Sequence, residues 1–238
     1  MDFELPIYPE NQTAMKKYMQ SQFEFNGVKA PDRHLIEREL WQSVKQLPPA
    51  EIMQFIETLY ARPTREYQYV AIEMALRSVR WWEPADMEHL LTLVLEKVWW
   101  DSIDAWRKVF GEYIRLHPEQ FDWVAQHFIG AENFWLRRIA ITLQLSFYEK
   151  TNVAFLEEAI LADIDTDEFF IQKAIGWALR NYSKENPEWV MTFVEEHELT
   201  IFAQREALKK IKQNKMFHRK HTKNAQHNSL LSVFCILF

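Results

Sequence analysis

The sequence predicts an all-α fold, a stack of helical hairpins forming a solenoid with a concave groove. Three observations carry that expectation. Apolar residues recur at helical spacing, as in Ile103, Trp106, Val109, Phe110, Tyr113 and Ile114, and again in Ile171, Ala174, Ile175, Ala178 and Tyr182. Prolines opening acidic amphipathic segments stand at Pro49, Pro84, Pro118 and Pro187, in steps of 35, 34 and 69, with Asn152 at the skipped position. Proline followed by acids suits a first helical turn, where the missing N–H costs nothing and negative charge meets the helix dipole. A second marker, Ala71, Ala105, Ala140, Ala174 and Ala207, advances by 34, 35, 34 and 33 residues.

A unit of about 34 residues with two helices and no strand buries its apolar face only against its neighbours, which is the logic of a helical repeat array. The small marker alanine would let adjacent helices approach closely. The Trp-x-x-Leu-Gly-x-x-Tyr pattern of the tetratricopeptide repeat is absent, so HEAT-like hairpins are expected. Residues 1–213 form that repeat domain. The period stops after Lys212; residues 214–228 are polar and basic, and Ser229–Phe238 is apolar but uncapped, so residues 214–238 read as a poorly packed or aberrant tail.

Composition narrows the chemistry. An apolar share of 48% over 238 residues is enough for a folded core. The four glycines, Gly27, Gly111, Gly130 and Gly176, are too dispersed for a phosphate-cradling loop, so no nucleotide cofactor is expected. The single Cys235 excludes disulfide frameworks, Cys-based zinc sites and iron–sulfur clusters, and the eight histidines show no paired-ligand spacing; neither metal nor cofactor is expected. The first ten residues lack a basic segment followed by an apolar one, and the ten-residue apolar end is too short to cross a bilayer, so a cytoplasmic protein without membrane insertion is expected. Residues 1–213 carry 24 Lys and Arg against 34 acids, a balance of −10. A polyanion binder with that balance needs its cations gathered on one face.

Three local sequences are unusual for a scaffold. In Trp99-Trp100-Asp101-Ser102-Ile103-Asp104, Asp101 reads as an N-cap and Asp104 as a first-turn carboxylate facing the helix dipole, or else Asp104 is a reactive acid beside aromatics. In Phe134-Trp135-Leu136-Arg137-Arg138, two arginines lie in an otherwise apolar helix. One of them calls for an ion pair with an acid such as Glu132, and the other for that or a phosphate. Along Phe169 to Arg180, Trp177 lies about 110° from the core stripe, in the sector of Lys173 and Arg180. That grouping reads as a surface for a polyanion or as a half-buried Trp flanked by snorkelling cations. Counted from the marker alanines, Trp100 at −5, Asp104 at −1 and Trp177 at +3 share one helix face, whereas Trp135, Ile139 and Leu143 occupy those offsets in the intervening repeat.

These residues resemble the HEAT-like DNA alkylation repair glycosylases of the AlkD type. The resemblance spans about Tyr18 to Gln213. It rests on Tyr18-Met19, on Phe23 to Arg33, on Trp99 to Asp104, on Asn133 to Arg138, on Phe170 to Arg180, and on Arg205-Glu206-Ala207. It implies a monofunctional, monomeric glycosylase that removes cationic N3- or N7-alkylated purines from double-stranded DNA and leaves the lesion largely within the duplex. Under it, Trp100 and Trp177 match the family's two groove aromatics, Asp104 its catalytic carboxylate, Arg138 its backbone-contacting arginine and Tyr18 a residue near the lesion. Lys173 and Arg180 then supply basic companions on the DNA-binding surface. The alternative is a non-catalytic scaffold or DNA-binding module on the same solenoid. Asp104→Asn separates the two: a glycosylase loses excision while folding and DNA binding stay nearly intact.

Overall fold

The computed structural model describes residues 2–213; the tail expected after Asn214 and Cys235 lie outside the described residues. Among the described residues there is no strand, only an isolated bridge between Glu24 and Thr64. The helices are α1 (Pro9–Tyr18), α2 (Ala30–Val44), α3 (Pro49–Ala61), α4 (Arg65–Arg77), α5 (Pro84–Val94), α6 (Trp100–Leu116), α7 (Phe121–Phe128), α8 (Phe134–Thr142), α9 (Val153–Leu161), α10 (Phe169–Tyr182) and α11 (Pro187–Glu196). A further helical run covers 201–213.

The two sequence markers separate the halves of each hairpin. Pro49, Pro84 and Pro187 open α3, α5 and α11, Pro118 opens a 3-10 turn leading into α7, and Asn152 caps α9 by accepting from Phe155 N–H at 3.2 Å. The marker alanines all fall in second helices, α4, α6, α8, α10 and the 201–213 run. Four of the five are buried; Ala105 alone is half-exposed.

The described residues divide into two compact units, residues 2–143 and 144–213. In the first, α3 packs on α4, α5 on α6 and α7 on α8, while the second helices form a row in which α2 meets α4, α4 meets α6 and α6 meets α8. The core runs between the two layers. Tyr60 and Trp106 are fully buried, and Trp106 Nε1–H donates to the Tyr60 hydroxyl at 3.1 Å, which itself donates to Glu96 O at 3.1 Å. Burial pushes the Tyr60 phenol up to about 12. In the second unit α10 packs on α11, Gly176 faces Ala203 and Glu206 of the 201–213 run, and Gln172 Oε1 accepts from Thr200, just before that run, at 2.6 Å.

Charge is partitioned between the two kinds of helix. No Lys or Arg occurs in α3, α5, α7, α9 or α11, which instead carry acids such as Glu51, Glu57, Asp86, Glu88, Asp122, Glu157, Glu158 and Glu188. The second helices hold Arg33 and Arg38, Arg65 and Arg77, Arg107, Lys108 and Arg115, Arg137 and Arg138, and Lys173 and Arg180. The net balance of the chain conceals this division.

Candidate active site

The start of α6 is built by its neighbours. Lys97, in the left-handed region at φ 49°, turns the chain into α6 and extends its ammonium to the carbonyls of Tyr60, Ala61 and Arg62 at 2.9, 2.8 and 2.6 Å. It thereby satisfies the end of α3. Ser102 Oγ accepts from Trp99 N–H at 3.3 Å and donates to Trp99 O at 3.0 Å, closing the first turn. Ser102 therefore does the work expected of Asp101. The Asp101 carboxylate instead accepts two bonds from the fully buried Arg65, Nε to Oδ2 at 2.9 Å and Nη2 to Oδ1 at 2.7 Å, and one from the Tyr69 hydroxyl. Burial and the adjoining Asp101 carboxylate push the Tyr69 phenol well above its usual range.

Trp100, half-buried, projects beside Tyr18 at the end of α1, and the two rings meet edge to face with centroids 6.0 Å apart. The Tyr18 side is open, 71% exposed. Trp99 turns the other way, toward buried Trp135 at 5.9 Å. Neither ring of the Trp pair is fully buried.

Asp104 lies one turn further along α6, beyond the first turn, and does not cap the helix. It meets Arg138 of α8. Nε donates to Oδ1 at 3.1 Å, and Nη2 donates to Oδ1 at 2.9 Å and Oδ2 at 3.1 Å. The Arg138 side chain is 1% exposed and that of Asp104 22%, so a guanidinium held in the interior presents a carboxylate toward solvent. The acid that meets Arg138 is thus Asp104. Arg137 donates instead to the carbonyls of Ala131 and Glu132, at 2.6 and 2.9 Å. Arg107, three residues after Asp104, adds a second buried guanidinium; burial lowers its pKa, against the pull of the Asp104 charge.

The remaining expected residues sit in the second unit, on α10, whose first turn is capped by Glu168 accepting from Phe170 N–H at 3.0 Å. Trp177 is half-buried and Lys173 exposed, its ammonium 6.0 Å from the Phe169 ring centroid. Arg180 forms an ion pair with Glu206. The first unit therefore brings together Tyr18, Trp100, Asp104 and Arg138, and the second carries Lys173, Trp177 and Arg180. Exposure at the shared offsets differs from helix to helix. The offsets −5, −1 and +3 are at least partly exposed in α6 and α10, but in α4 (Glu66, Val70, Met74) and α8 (Trp135, Ile139, Leu143) they are buried. Successive second helices are rotated about their own axes, so equal offset does not mean equal face.

Sequence reasoning missed Arg65 and Lys97 altogether. A usable signal existed, because the contacts Arg65–Asp101 and Asp104–Arg138 span 36 and 34 residues, one repeat. Among the described residues no group of His, Cys, Asp and Glu could hold a metal ion, and no helix is long and apolar enough to cross a membrane.

A model of the family described as DNA alkylation repair enzyme matches residues 2–211. A solved structure described as a predicted DNA alkylation repair enzyme from Enterococcus faecalis is 44% identical, with TM-score 0.84 over 87% of this chain and 98% of that one. AlkD2 from Streptococcus mutans is 15% identical, with TM-score 0.62 over 82% of this chain and 96% of that one. The structure of smu.31 from Streptococcus mutans UA159 is 14% identical, with TM-score 0.60 over 83% and 96%. These last two likenesses show the fold alone. No curated protein matches this chain.

Proposed function

The chain belongs to the DNA alkylation repair enzyme family, and from that premise we propose that it is a monofunctional DNA glycosylase acting on cationic N3- or N7-alkylated purines in double-stranded DNA. The observation that carries this reading is the Asp104 carboxylate. It has no capping duty, it is turned outward by a buried arginine, and it stands one helical turn from an aromatic pair with an open edge.

Alkylation at N3 or N7 leaves a positive charge on the purine. The glycosidic C1′–N bond then breaks heterolytically, its electron pair neutralising the departing base, and C1′ becomes oxocarbenium-like. A carboxylate near the sugar stabilises that cation, orients the water that adds to C1′ and accepts its proton. The products are the free base and an abasic site. Trp100 contributes the negative face of its ring to the developing cation. Arg138 is a positioning residue, since its three donor contacts fix the direction of the Asp104 oxygens. A phosphate role for Arg138 would require that guanidinium to leave its interior position, so the backbone contacts are assigned to exposed cations such as Lys108 and Lys173. Trp177 is the family's expected second aromatic and is tested by itself, through Trp177→Ala. No lysine nucleophile is called for, so strand cleavage is not expected, nor is extrusion of the base.

The test is release of free base from duplex DNA carrying N7-methylguanine, comparing wild type with Asp104→Asn and subtracting spontaneous depurination. Release by the wild type, reduced by a factor on the order of 100 in the variant, supports the reading. No release above background on N7-methylguanine or N3-methyladenine leaves a DNA-binding module and sinks the glycosylase.

A further inference from the structure

Arg65 occupies a singular place in the first unit: one fully buried side chain tied to the segments that carry the exposed Tyr18 ring and the half-buried Trp100 ring of the site. On one side its backbone N–H donates to Glu24 O at 2.9 Å, and its guanidinium lies 3.9 Å from the centroid of Phe23. Both belong to the turn that follows Tyr18. On the other side Nη1 donates to Lys97 O at 2.7 Å, and Nε and Nη2 grip Asp101, the residue after Trp100. Its sequence neighbour Glu66, equally buried, completes the mould. Its carboxylate accepts the N–H groups of Asn26, Gly27 and Val28 at 3.0, 2.8 and 3.0 Å. Gly27 sits there at φ +92°, where a Cβ would come within 2.2 Å of Tyr8 O. The turn itself is wound tight, with Gln20 and Ser21 both in the left-handed region, and does not rest on its own propensity.

A buried ion pair is a poor way to gain stability, because desolvation offsets most of its attraction; its best-attested use is to fix registry. Nothing in the geometry lets Arg65 reach a substrate. We propose that Arg65, clamped on Asp101 and backed by Glu66 and Tyr69, is a positioning residue that sets the spacing and edge-to-face angle of Tyr18 and Trp100. The inference rests on the glycosylase reading for its effect on excision, but not for its effect on the rings. Two rings at 6.0 Å and 79° form a wall of fixed width, and a lesion-bearing nucleotide held against it is aligned with Asp104 one turn away. With the clamp loosened, the rings stay present and lose their mutual placement.

The test uses the full chain labelled with 5-fluorotryptophan, the Trp100 resonance being identified by its loss in Trp100→Phe. In wild type, Tyr18→Leu removes a neighbouring ring and is expected to move that resonance. In Asp101→Asn the Trp100 signal is expected to broaden or divide and to lose its response to Tyr18→Leu. Tyr69→Phe, which deletes a single hydroxyl donor to Asp101, does the same to a smaller degree and decides the matter if Asp101→Asn fails to fold. An unchanged Trp100 signal in the folded variants, with its response to Tyr18→Leu intact, overturns the proposal. In the excision assay the same variants should lose kcat by roughly 10-fold or more with KM within about 3-fold. A matching loss in KM alone would also overturn it. The fluorine spectrum reads placement without any reaction, so absent base release by wild type would sink the proposed function while the clamp still stood or fell on that spectrum.

Discussion

Asp104 and Arg138 illustrate what one residue can and cannot reveal. An aspartate near a helix start is ambiguous in sequence, because capping and reactivity ask for the same side chain at almost the same place. The structure removes the capping role, giving the first turn to Ser102 and Asp101 to Arg65, and leaves the reactive role to be tested. The separation has a consequence for mutagenesis. Asp104→Asn removes an anionic partner from a 1%-exposed guanidinium, so it will not leave folding untouched as the sequence alone suggested. A loss of about 1–3 kcal/mol is expected, read as a lowered Tm, because the amide oxygen retains part of the bonding while the charge is gone. Excision has to be compared at a temperature where both proteins are folded by circular dichroism. Arg138→Lys provides the complementary case. A lysine keeps the charge and loses the fork, so kcat should fall on the order of 10-fold while damaged-DNA affinity changes little; a selective rise in Kd would return Arg138 to the phosphate role.

At the scale of the element, periodicity made the helices legible, and the two markers even sorted first helices from second. Rotation of each helix about its axis was not legible, because it depends on how large side chains of neighbouring repeats interlock, as the buried Trp135 and exposed Phe169 at the same offset show. Gly176 lies at a close packing contact with the 201–213 run. In an exposed helix interior Gly→Ala stabilises by roughly 1 kcal/mol. Here a Cβ would stand 2.8 Å from Glu206 Cβ and 3.1 Å from Ala203 O, so Gly176→Ala should instead destabilise by about 1–3 kcal/mol in denaturant melts. The α2–α4 contact supplies a pH signature. Glu37, 1% exposed, has its carboxyl raised, first by burial and then by Glu73, against the hydrogen bond from His34 and the charges of Arg33 and His34. An acid whose folded pKa is raised holds its proton more tightly in the native state. Its contribution is therefore full below the ordinary value near 4.5 and is lost as pH climbs through the raised one. Melts of wild type against Glu37→Gln should accordingly show wild type losing ground as pH rises above about 4.5; a gap that narrows instead would mean the pairing with Arg33 and His34 outweighs burial.

For the whole molecule, the question left by composition was how a chain with an excess of ten acids over residues 1–213 could engage a polyanion. The proposed answer is an uneven distribution of Lys and Arg between the two kinds of helix, which no net charge can display. From α3 onward the first helices of each unit carry acids without a single Lys or Arg, and the second helices carry the cations, beside acids of their own, together with Trp100, Asp104 and Trp177. Finding it in the sequence would have required assigning each charge to a hairpin half before counting. On the proposed function, repulsion from the acidic first helices and attraction by exposed cations of the second would together orient an approaching duplex. Electrostatic binding of this kind has a quantitative readout, because each phosphate neutralised releases condensed counterions and steepens the fall of log K with log salt. Lys108 on α6 and Arg38 on α2 are exposed and belong to the cationic set. Lys108→Ala and Arg38→Ala should each weaken damaged and undamaged duplexes alike and flatten the salt slope by up to about 1. Glu51→Gln on α3 and Asp122→Asn on α7, equal in charge change and opposite in layer, should leave the slope unchanged. If the α3 and α7 variants alter it as much as the other pair, DNA is responding to net charge alone, and the alternation plays no part in binding.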